Sequence, residues 1–489
     1  MSKKILILAY SLGIYLLLLW WHGYEYGGND QLEILPYALK INNSSLFQTD
    51  FHLTTLLRVA PNERTFIAQI LAFGNGHLEG WTFFLHALSS IFLIVGLYKI
   101  YSQFIENQYI IIGLILFLLV PMYAFNLGGN DIYYNQFTAS NLAKALVIWA
   151  FYSALRKYFV NAVLLISAAT LIQTIVGVHA FLLVSAMMIG SILFEKNIKK
   201  LFRFYQNDEL CFIGFVGLYA ICCGFYLYLL LFNYGNDGLE AATLYQFFEF
   251  RLPHHFIPTA FGLKNYLMLI PIFVFSLWQY WRQKHQFFFV YLMSFLGCAV
   301  YFVGVVFFHN TLMFSTQWFK TTIWLKTFSF PSFTKINATS ASSIDKYIKK
   351  GLVGFVVIII SLGFLKHQAY QFPFWQAQNL ERDIALAAKN ILPNDALVMN
   401  YGSTAFKYYS EKSEYFNFKS VVHRKDGIRA WLARYNETYP IEQLTIEKIV
   451  NFKKMGITHL IMPVGKIKSE NLGTKLLLEN ADWQLFVIF

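Results

Sequence analysis

The sequence predicts a mainly α-helical, polytopic membrane protein that carries a small α/β domain at its C-terminal end. Hydrophobic residues make up 57% of the chain and charged residues only 13%, whereas an ordinary soluble domain has about 25% charged residues. Apolar runs recur along the chain, and they are long enough for α-helices to cross about 30 Å of hydrocarbon. From Trp375 onward the composition changes to mixed charge with shorter apolar periods, which is typical of a domain in water.

Hydropathy predicts about eleven membrane-spanning helices in the first three quarters of the chain. Their predicted bounds are 5–21, 80–98, 109–126, 138–155, 159–175, 177–194, 210–233, 264–281, 286–308, 316–333 and 351–366. The prediction is weakest at 316–333, because Lys320 and Lys326 interrupt this run. The sequence therefore predicts a transmembrane domain at 1–366 and an extracytoplasmic α/β domain at 367–489.

The charges of the loops predict the orientation of the chain. Lys3-Lys4 precedes the first span, and the short loops expected on the same side carry further lysines and arginines, as the positive-inside rule requires. The first span is expected to be retained, because the bulky Trp20-Trp21-His22 stands where a signal peptide needs small residues. With a cytoplasmic N-terminus, the loops at 23–79 and 234–263 and the C-terminal domain lie outside.

Short buried strands alternate with helices in the tail, and this alternation predicts a small α/β fold. The predicted helices are 379–391, 428–435 and 446–455, and the predicted strands are 396–399, 415–418, 459–462 and 485–489.

Several classes of function are disfavoured by what the sequence contains and lacks. The four cysteines show no CxxC spacing, so zinc, redox and disulfide roles are not predicted. Basic loops and anionic lipid head groups explain the net charge of +12 without a nucleic-acid partner. The chain also has no Walker A, GxGxxG or HExxH motif, which disfavours ATP-driven transport and cytosolic nucleotide-sugar chemistry.

The first outside loop carries carboxylates close to the membrane boundary. Asp30 and Glu33 follow the first span directly, and Asp50 lies further along the loop. A carboxylate beside low-dielectric material can act as a base or bind a cation. Residues three apart share a face if the stretch is helical, which groups Asp30 with Glu33. The alternative is that Asp30 only caps the helix that follows it.

A second candidate site is the outside stretch 251–258, which reads Arg-Leu-Pro-His-His-Phe-Ile-Pro. Adjacent histidines point to different sides, so one of His254 and His255 could reach a substrate while the other packs. Arg251 offers a planar fork for a phosphate, and imidazoles suit proton transfer or a phosphate hydrogen bond. The alternative is an interfacial loop whose polar residues only meet lipid head groups.

A third set consists of polar residues inside spans or at their outer ends. Lys144 and Lys320 are candidates for binding an anionic lipid phosphate, because ionisable groups in a membrane usually face a cavity. Lys144 could equally snorkel to the interface. His179 is a further candidate for substrate binding, and the alternative is that it is a hydrogen-bonded packing residue. Together these residues predict a polar cavity that opens outward.

The chain resembles the GT-C class of membrane glycosyltransferases, and more narrowly a bacterial membrane family with GT-C-like architecture. The resemblance rests on short pieces spread over most of the chain. They are Gly28-Asn29-Asp30-Gln31, Leu46-Phe47-Gln48-Thr49-Asp50, Ser140-Asn141-Leu142-Ala143-Lys144-Ala145, His179, Arg251-Leu252-Pro253-His254-His255, Phe418-Lys419 and Trp431-Leu432-Ala433-Arg434-Tyr435.

This resemblance implies transfer of a hexose or pentose from a polyprenyl-phosphate-linked donor to a lipid or glycan acceptor, outside the bacterial cytoplasmic membrane. It implies that Asp30 is the catalytic base or helps to hold a metal, with Glu33 or Asp50 as a helper. It also implies that the lipid phosphate is contacted by four cationic or imidazole groups, namely Arg251, His254, His255 and Lys320. Gln31 replaces the second acidic residue common in the class, so a divalent cation is possible rather than expected.

Two other functions remain open from the sequence. The chain could be a flippase or exporter for a lipid-linked glycan, a reading that broken helices, midplane charges and similar halves would favour. It could also be a non-catalytic scaffold in the cell envelope whose tail domain binds a partner.

Overall fold

The computed structural model of the protein describes residues 2–28, 30–121, 126–195, 207–234, 239–333, 341–369, 380–403, 405–422, 424–441, 444–466 and 473–489. These residues are mainly helical, with one small sheet near the C-terminus. The helices are α1 Lys3–His22, α2 Gln31–Asn42, α3 Phe51–Leu57, α4 Thr65–Ala72, α5 Leu78–Tyr101, α6 Gln108–Leu119, α7 Ala139–Leu155, α8 Phe159–Ile172, α9 Thr174–Glu195, α10 Asn207–Tyr234, α11 Ala241–Arg251, α12 Pro253–Phe256, α13 Leu263–Arg282, α14 Phe287–Phe302, α15 Thr322–Phe333, α16 Ala341–Ala369, α17 Leu380–Ile391, α18 Phe406–Ser410, α19 Lys425–Thr438 and α20 Ile446–Lys454.

Five helices in the described part of the chain are long and apolar enough to cross a membrane. They are Lys4–His22, Leu78–Tyr101, Thr174–Phe194, Leu210–Phe232 and Phe287–Phe307. The apolar helices α6, α7 and α8 are shorter. These helices support a membrane protein, and the full set of eleven crossings stays a prediction.

Two of the predicted spans are interrupted. The predicted helix at 316–333 is divided into 3-10 turns at Thr311–Thr316 and Trp318–Thr321, followed by α15. The break falls at Gln317, whose φ of +40° is left-handed and cannot continue a right-handed helix. The predicted helix at 109–126 ends at Leu119, and its residues 122–125 lie outside the described residues.

The chain divides into two compact units, which are not contiguous in sequence. The first, the membrane unit, comprises Met1–Gly23, Phe84–Leu227 and Glu240–Tyr370; the second, the mixed unit, comprises Tyr24–Phe83, Tyr228–Leu239 and Gln371–Phe489. The predicted boundary near residue 366 placed the first loop with the transmembrane domain, whereas in the structure this loop packs with the tail.

An apolar cluster joins the first loop and the tail within the mixed unit. Tyr37 of α2, Phe47, and Leu53 and Leu56 of α3 pack with Val422 of the tail. All of these side chains are buried, so removing them from water stabilises the association. The first loop is therefore a structural part of the C-terminal domain.

The sheet of the mixed unit contains both parallel and antiparallel strand pairs. Its strands are β1 Leu397–Asn400, β2 Ser413–Phe416, β3 His459–Pro463, β4 Thr474–Glu479 and β5 Trp483–Ile488, in the order β2-β1-β3-β5-β4. β1 is parallel to β2 and β3, and β5 is antiparallel to β3 and β4. Helix α17 covers the sheet with Ala385 and Ala388, which pack against Val398 and Leu485.

The buried His459 predicts a pH dependence for the mixed unit. Burial lowers the pKa of His459 below its usual 6.5. The imidazole of the unfolded chain therefore takes up a proton at a higher pH than the imidazole of the folded protein. The contribution of the neutral His459 to stability is complete above the unfolded pKa of 6.5 and is lost as the pH falls below it. We expect His459→Gln to flatten the fall of the thermal unfolding midpoint between about pH 7.5 and about pH 5.5. A variant whose midpoint falls as steeply as that of the wild type contradicts this expectation.

Candidate functional site

Asp30 lies at the start of α2 but does not cap it. It occupies the position before Gln31 with helical backbone angles, and its side chain makes no capping hydrogen bond. The carboxylate side chain is 56% exposed, and its Oδ1 lies 3.7 Å from Nζ of Lys419 in the same unit. The structure thus removes capping as an explanation for this residue and leaves its carboxylate accessible.

Gln31 has a structural role beside this carboxylate. Its side chain is fully buried, and its Oε1 accepts a 2.7 Å hydrogen bond from the Gly27 N–H. Gly27 adopts a left-handed φ of +78°, and a Cβ there would lie 2.7 Å from the Tyr409 hydroxyl. The turn before Asp30 is therefore fixed by a glycine and a buried amide.

Glu33 forms a half-buried ion pair rather than an open acid. Its Oε2 accepts a 2.6 Å hydrogen bond from Nη2 of Arg64. Desolvation disfavours the charged guanidinium, but the carboxylates of Glu33, Glu63 and Asp30 together outweigh it, so the pKa of Arg64 is raised. This pairing joins α2 to the start of α4 and favours a structural role for Glu33 over a role as catalytic helper.

Asp50 belongs to a buried ion triad with Lys407 and Glu414. Lys407 Nζ lies 3.0 Å from Asp50 Oδ2 and 3.5 Å from Glu414 Oε2, and all three side chains are at most 2% exposed. Asp50 also accepts hydrogen bonds from the N–H groups of Leu53, at 2.8 Å, and Glu414, at 3.0 Å. The carboxylate is enclosed by its partners, which favours a structural role over the predicted helper role.

The triad holds one more carboxylate than it has cations. Burial raises the pKa of Glu414, while Lys407 opposes this rise. Two amide groups stabilise the carboxylate of Glu414, because Nδ2 of Asn400 donates at 2.5 Å and Nδ2 of Asn417 donates at 2.9 Å. The same carboxylates raise the pKa of Lys407 against its burial, so the ammonium is held charged.

The histidine pair of the membrane unit lies on the one-turn helix α12, directly after Arg251. The two rings are 4.1 Å apart between centroids. His254 is exposed, whereas His255 is half-buried with its Nδ1 3.3 Å from the carbonyl oxygen of Gly128. One of the two adjacent rings is therefore exposed, while the other packs against the Gly128 carbonyl; contact of either ring with a substrate stays a prediction.

Two glycines allow the histidine pair and the Lys320 turn to approach the same loop. Gly128 and Gly129 have φ angles of +76° and +61°. A Cβ at Gly129 would lie 2.5 Å from Nδ1 of His255, and a Cβ at Gly128 would lie 3.1 Å from the backbone nitrogen of Lys320. The loop around 128–131 therefore brings the His255 and Lys320 segments together inside the membrane unit.

Gly129→Ala is expected to destabilise this part of the membrane unit. The added methyl group would overlap His255 and must displace it, at a cost of about 1–3 kcal/mol. Gly262→Ala is the matched control, because Gly262 also has a left-handed φ of +83° but the nearest atom to its Cβ is 3.9 Å away. Thermal unfolding of the two full-length variants measures the difference, and equal midpoints would contradict the packing argument.

Lys144 is a buried internal link. Its side chain is fully enclosed, and its Nζ donates to Oδ1 of Asn130 at 2.7 Å and to the carbonyl oxygen of Asp131. The ammonium also lies 4.3 Å from the ring centroid of Tyr134. Lys144 therefore neither snorkels nor projects outward, and these contacts favour a structural role over binding of a lipid phosphate.

His179 and Lys320 also lie in the membrane unit. Nε2 of His179 is 2.7 Å from the carbonyl oxygen of Thr316, and its ring packs edge-on against Trp318 at 5.2 Å. These contacts favour packing over binding for His179. Lys320 is half-buried at the end of the 3-10 turn Trp318–Thr321. It remains a candidate for contact with a phosphate.

Two residues that organise these regions were missed by sequence reasoning. Asn130, which binds Lys144, lies in a second copy of the tetrapeptide Gly-Gly-Asn-Asp, found at 27–30 and again at 128–131. This repeated tetrapeptide could have identified Asn130 as a candidate from the sequence alone. No sequence pattern could have identified Lys407, because its partner Asp50 is 357 positions away.

No group of three or more His, Cys, Asp or Glu side chains able to hold a metal ion occurs in the described ranges.

One family model matches part of the tail. It is DUF6798, a domain of unknown function, and it covers residues 381–438. The matched segment contains Lys407, Glu414 and Lys419. No curated protein matches the chain.

Proposed function

We propose that the protein is an integral-membrane glycosyltransferase that transfers a sugar from a polyprenyl-phosphate-linked donor to an acceptor on the extracytoplasmic side. The observation that carries this proposal is the carboxylate of Asp30, which is more than half exposed at a helix start that it does not cap. Glu33 and Asp50 are held in largely buried ion pairs of 2.6 Å and 3.0 Å, whereas the pair of Asp30 with Lys419 is exposed and longer, at 3.7 Å. Asp30 is therefore the strongest candidate base among the three acids.

The proposed step is a displacement with inversion at the anomeric carbon. The acceptor hydroxyl oxygen attacks this carbon, and the bond from the carbon to the phosphate oxygen breaks. Polyprenyl phosphate leaves with the bonding electron pair, while the hydroxyl proton passes to the Asp30 carboxylate. A positioned carboxylate that removes this proton contributes about 10²–10⁴-fold to such a rate.

A leaving phosphate needs positive charge or hydrogen-bond donors as the glycosidic bond breaks. Arg251, His254, His255 and Lys320 are the proposed contacts. The exposed ring of His254 and the close packing of His255 and Lys320 against the Gly128-Gly129 turn support this assignment.

The test is donor turnover by the full-length protein in lipid vesicles. Polyprenyl-phosphate donors carrying a labelled hexose or pentose are supplied with an extract of envelope lipids and glycans. We expect consumption of a donor, an equal amount of polyprenyl phosphate and label in a new product. If wild-type protein consumes none of the donors, the proposal fails.

A flippase or exporter for a lipid-linked glycan is the second candidate. Buried charges beside interrupted helices favour this function. Lys144 is enclosed next to the irregular segment that follows Asn126. Nζ of Lys326 lies 3.7 Å from Oδ1 of Asp131 in that segment. Transporters place such charges and helix breaks at their substrate sites. Movement of the labelled lipid across the vesicle membrane without a new glycosidic bond would favour this function over the first.

A further inference from the structure

Two exposed apolar side chains lie together at one end of the α2–α4 pair in the mixed unit. Phe73, directly after α4, is 83% exposed, which is the highest value among the large hydrophobic side chains of the described residues. Ile41, in the last turn of α2, is 44% exposed. The two helix ends meet, because Nδ2 of Asn42 donates to the carbonyl oxygen of Ala72 at 3.0 Å. We call Ile41 and Phe73 the apolar tip.

The apolar tip is fixed to the start of α5. Nε1 of Trp81 donates to the carbonyl oxygen of Ile70 at 2.9 Å, so the Trp81 side chain packs on the end of α4. The backbone at Gly74 touches the same side chain, since a Cβ at Gly74 would lie 2.5 Å from Cβ of Trp81. The chain from Phe73 to Leu78, where α5 begins, is short. The position of the tip is therefore tied to the N-terminal end of α5.

The length and sequence of α5 indicate that this end lies at the surface of the bilayer. α5 is one of the helices long and apolar enough to cross a membrane. Its 24 residues extend about 36 Å, which exceeds the roughly 30 Å of hydrocarbon. The first turn carries Glu79, whose side chain is 58% exposed, and a charged group is costly in hydrocarbon. The first turn of α5 therefore belongs in the head-group layer, where tryptophans such as Trp81 are enriched.

We infer that the apolar tip inserts into the bilayer at the boundary between head groups and acyl chains. The predicted orientation of the first loop makes this the outer leaflet. Single exposed apolar residues are ordinary on protein surfaces, but this pair is held beside the first turn of a spanning helix. Lipid is therefore the apolar partner that the tip meets, and insertion removes the Phe73 ring from water.

Insertion of the tip also limits the distance of Asp30 from the bilayer. Asp30 directly precedes α2, and Ile41 lies in its last turn. The 12 residues of α2 measure about 18 Å. The Asp30 carboxylate consequently lies within roughly one such helix length of the head-group layer. The inference holds for any chemistry at Asp30, because it does not depend on sugar transfer.

Photo-crosslinking of the full-length protein in vesicles of phosphatidylethanolamine and phosphatidylglycerol tests the insertion. The photoreactive residue p-benzoylphenylalanine replaces Phe73 or one of two reference residues, and mass spectrometry identifies the adducts. Leu88 of α5, 51% exposed, is the reference for a residue of a spanning helix, and Phe489, at the end of the chain and 65% exposed, is the matched phenylalanine. We expect position 73 to give lipid adducts at about the yield of position 88. Its yield should exceed that of position 489 by at least about tenfold, because burial of a phenylalanine ring favours the inserted form by such a factor.

Phe73→Ser tests the contribution of the ring itself. With the photoreactive residue at position 41, we expect Phe73→Ser to lower the yield of lipid adducts by about tenfold. The control Phe489→Ser should leave this yield unchanged. Because Phe73 is exposed, Phe73→Ser should keep the thermal unfolding midpoint of the wild type in detergent.

Two outcomes overturn the inference. One is a yield of lipid adducts at position 73 as low as that at position 489. The other is crosslinking of position 73 to protein in place of lipid, which would make the tip an interface with a second copy of the chain or with another protein. Neither measurement requires turnover, so failure here is distinguishable from failure of glycosyl transfer.

Discussion

Replacing Asp30 with asparagine is expected to slow sugar transfer by about 10²–10⁴-fold. Asparagine keeps the size of the side chain but cannot accept the hydroxyl proton. Because Asp30 is more than half exposed and makes no capping hydrogen bond, the thermal unfolding midpoint should stay within the error of the wild type. Donor consumption in vesicles gives the rate, and a split into kcat and KM should place the loss in kcat.

The matched control for Asp30 is Asp426→Asn. Asp426 is an exposed aspartate of the same unit whose Oδ1 lies 2.8 Å from Nε of Arg424, so it shares both exposure and a cationic neighbour with Asp30. We expect normal turnover from this variant. An Asp30→Asn protein that turns over donor at the wild-type rate would exclude Asp30 as the base.

The second large effect concerns the buried triad of the mixed unit. Lys407→Met leaves the carboxylates of Asp50 and Glu414 side by side without their cation. Removing one partner of a buried ion pair costs about 3–5 kcal/mol. We expect the whole mixed unit to be destabilised, so that a protease cleaves the tail at a lower urea concentration than in the wild type.

Two further variants make this test specific. Lys389→Met breaks a pair of similar geometry, 2.6 Å between Nζ and Glu411 Oε1, but an exposed one, so it should cost at most about 1 kcal/mol. Adding Asp50→Asn and Glu414→Gln to Lys407→Met removes the uncompensated charges and should restore part of the lost stability. A Lys407→Met protein as resistant as Lys389→Met would show that the triad does not stabilise the unit.

Elements with strong local patterns were predictable from the sequence. Helix α17, strand β1 and strand β3 lie within one residue of their predicted bounds, because each buries apolar side chains at a regular period. Strand β4 was not predicted. It lies at the edge of the sheet and most of its residues are exposed, so its sequence shows little alternation of apolar and polar residues. The break of the predicted helix at 316–333 depends on one backbone angle at Gln317, which composition does not encode.

The candidate site was predictable only as a set of residue types. Asp30, Glu33 and Asp50 are equivalent acids in the sequence, yet their accessibility differs because of partners far along the chain. Arg64 and Lys407 determine that difference for Glu33 and Asp50. Such pairing arises from tertiary packing, so spacing within the first loop could not separate a candidate base from structural ion pairs.

The pairing of Asp50 with Lys407 also constrains how the protein is made. The two residues are 357 positions apart, and a ribosome adding about 5–20 residues per second needs roughly 20–70 s to cover that interval. During this time Asp50 and the apolar side chains that pack on the tail lack their native partners, while the intervening helices are inserted. This part of the first loop is therefore accessible to proteases and chaperones until the last quarter of the chain has been synthesised.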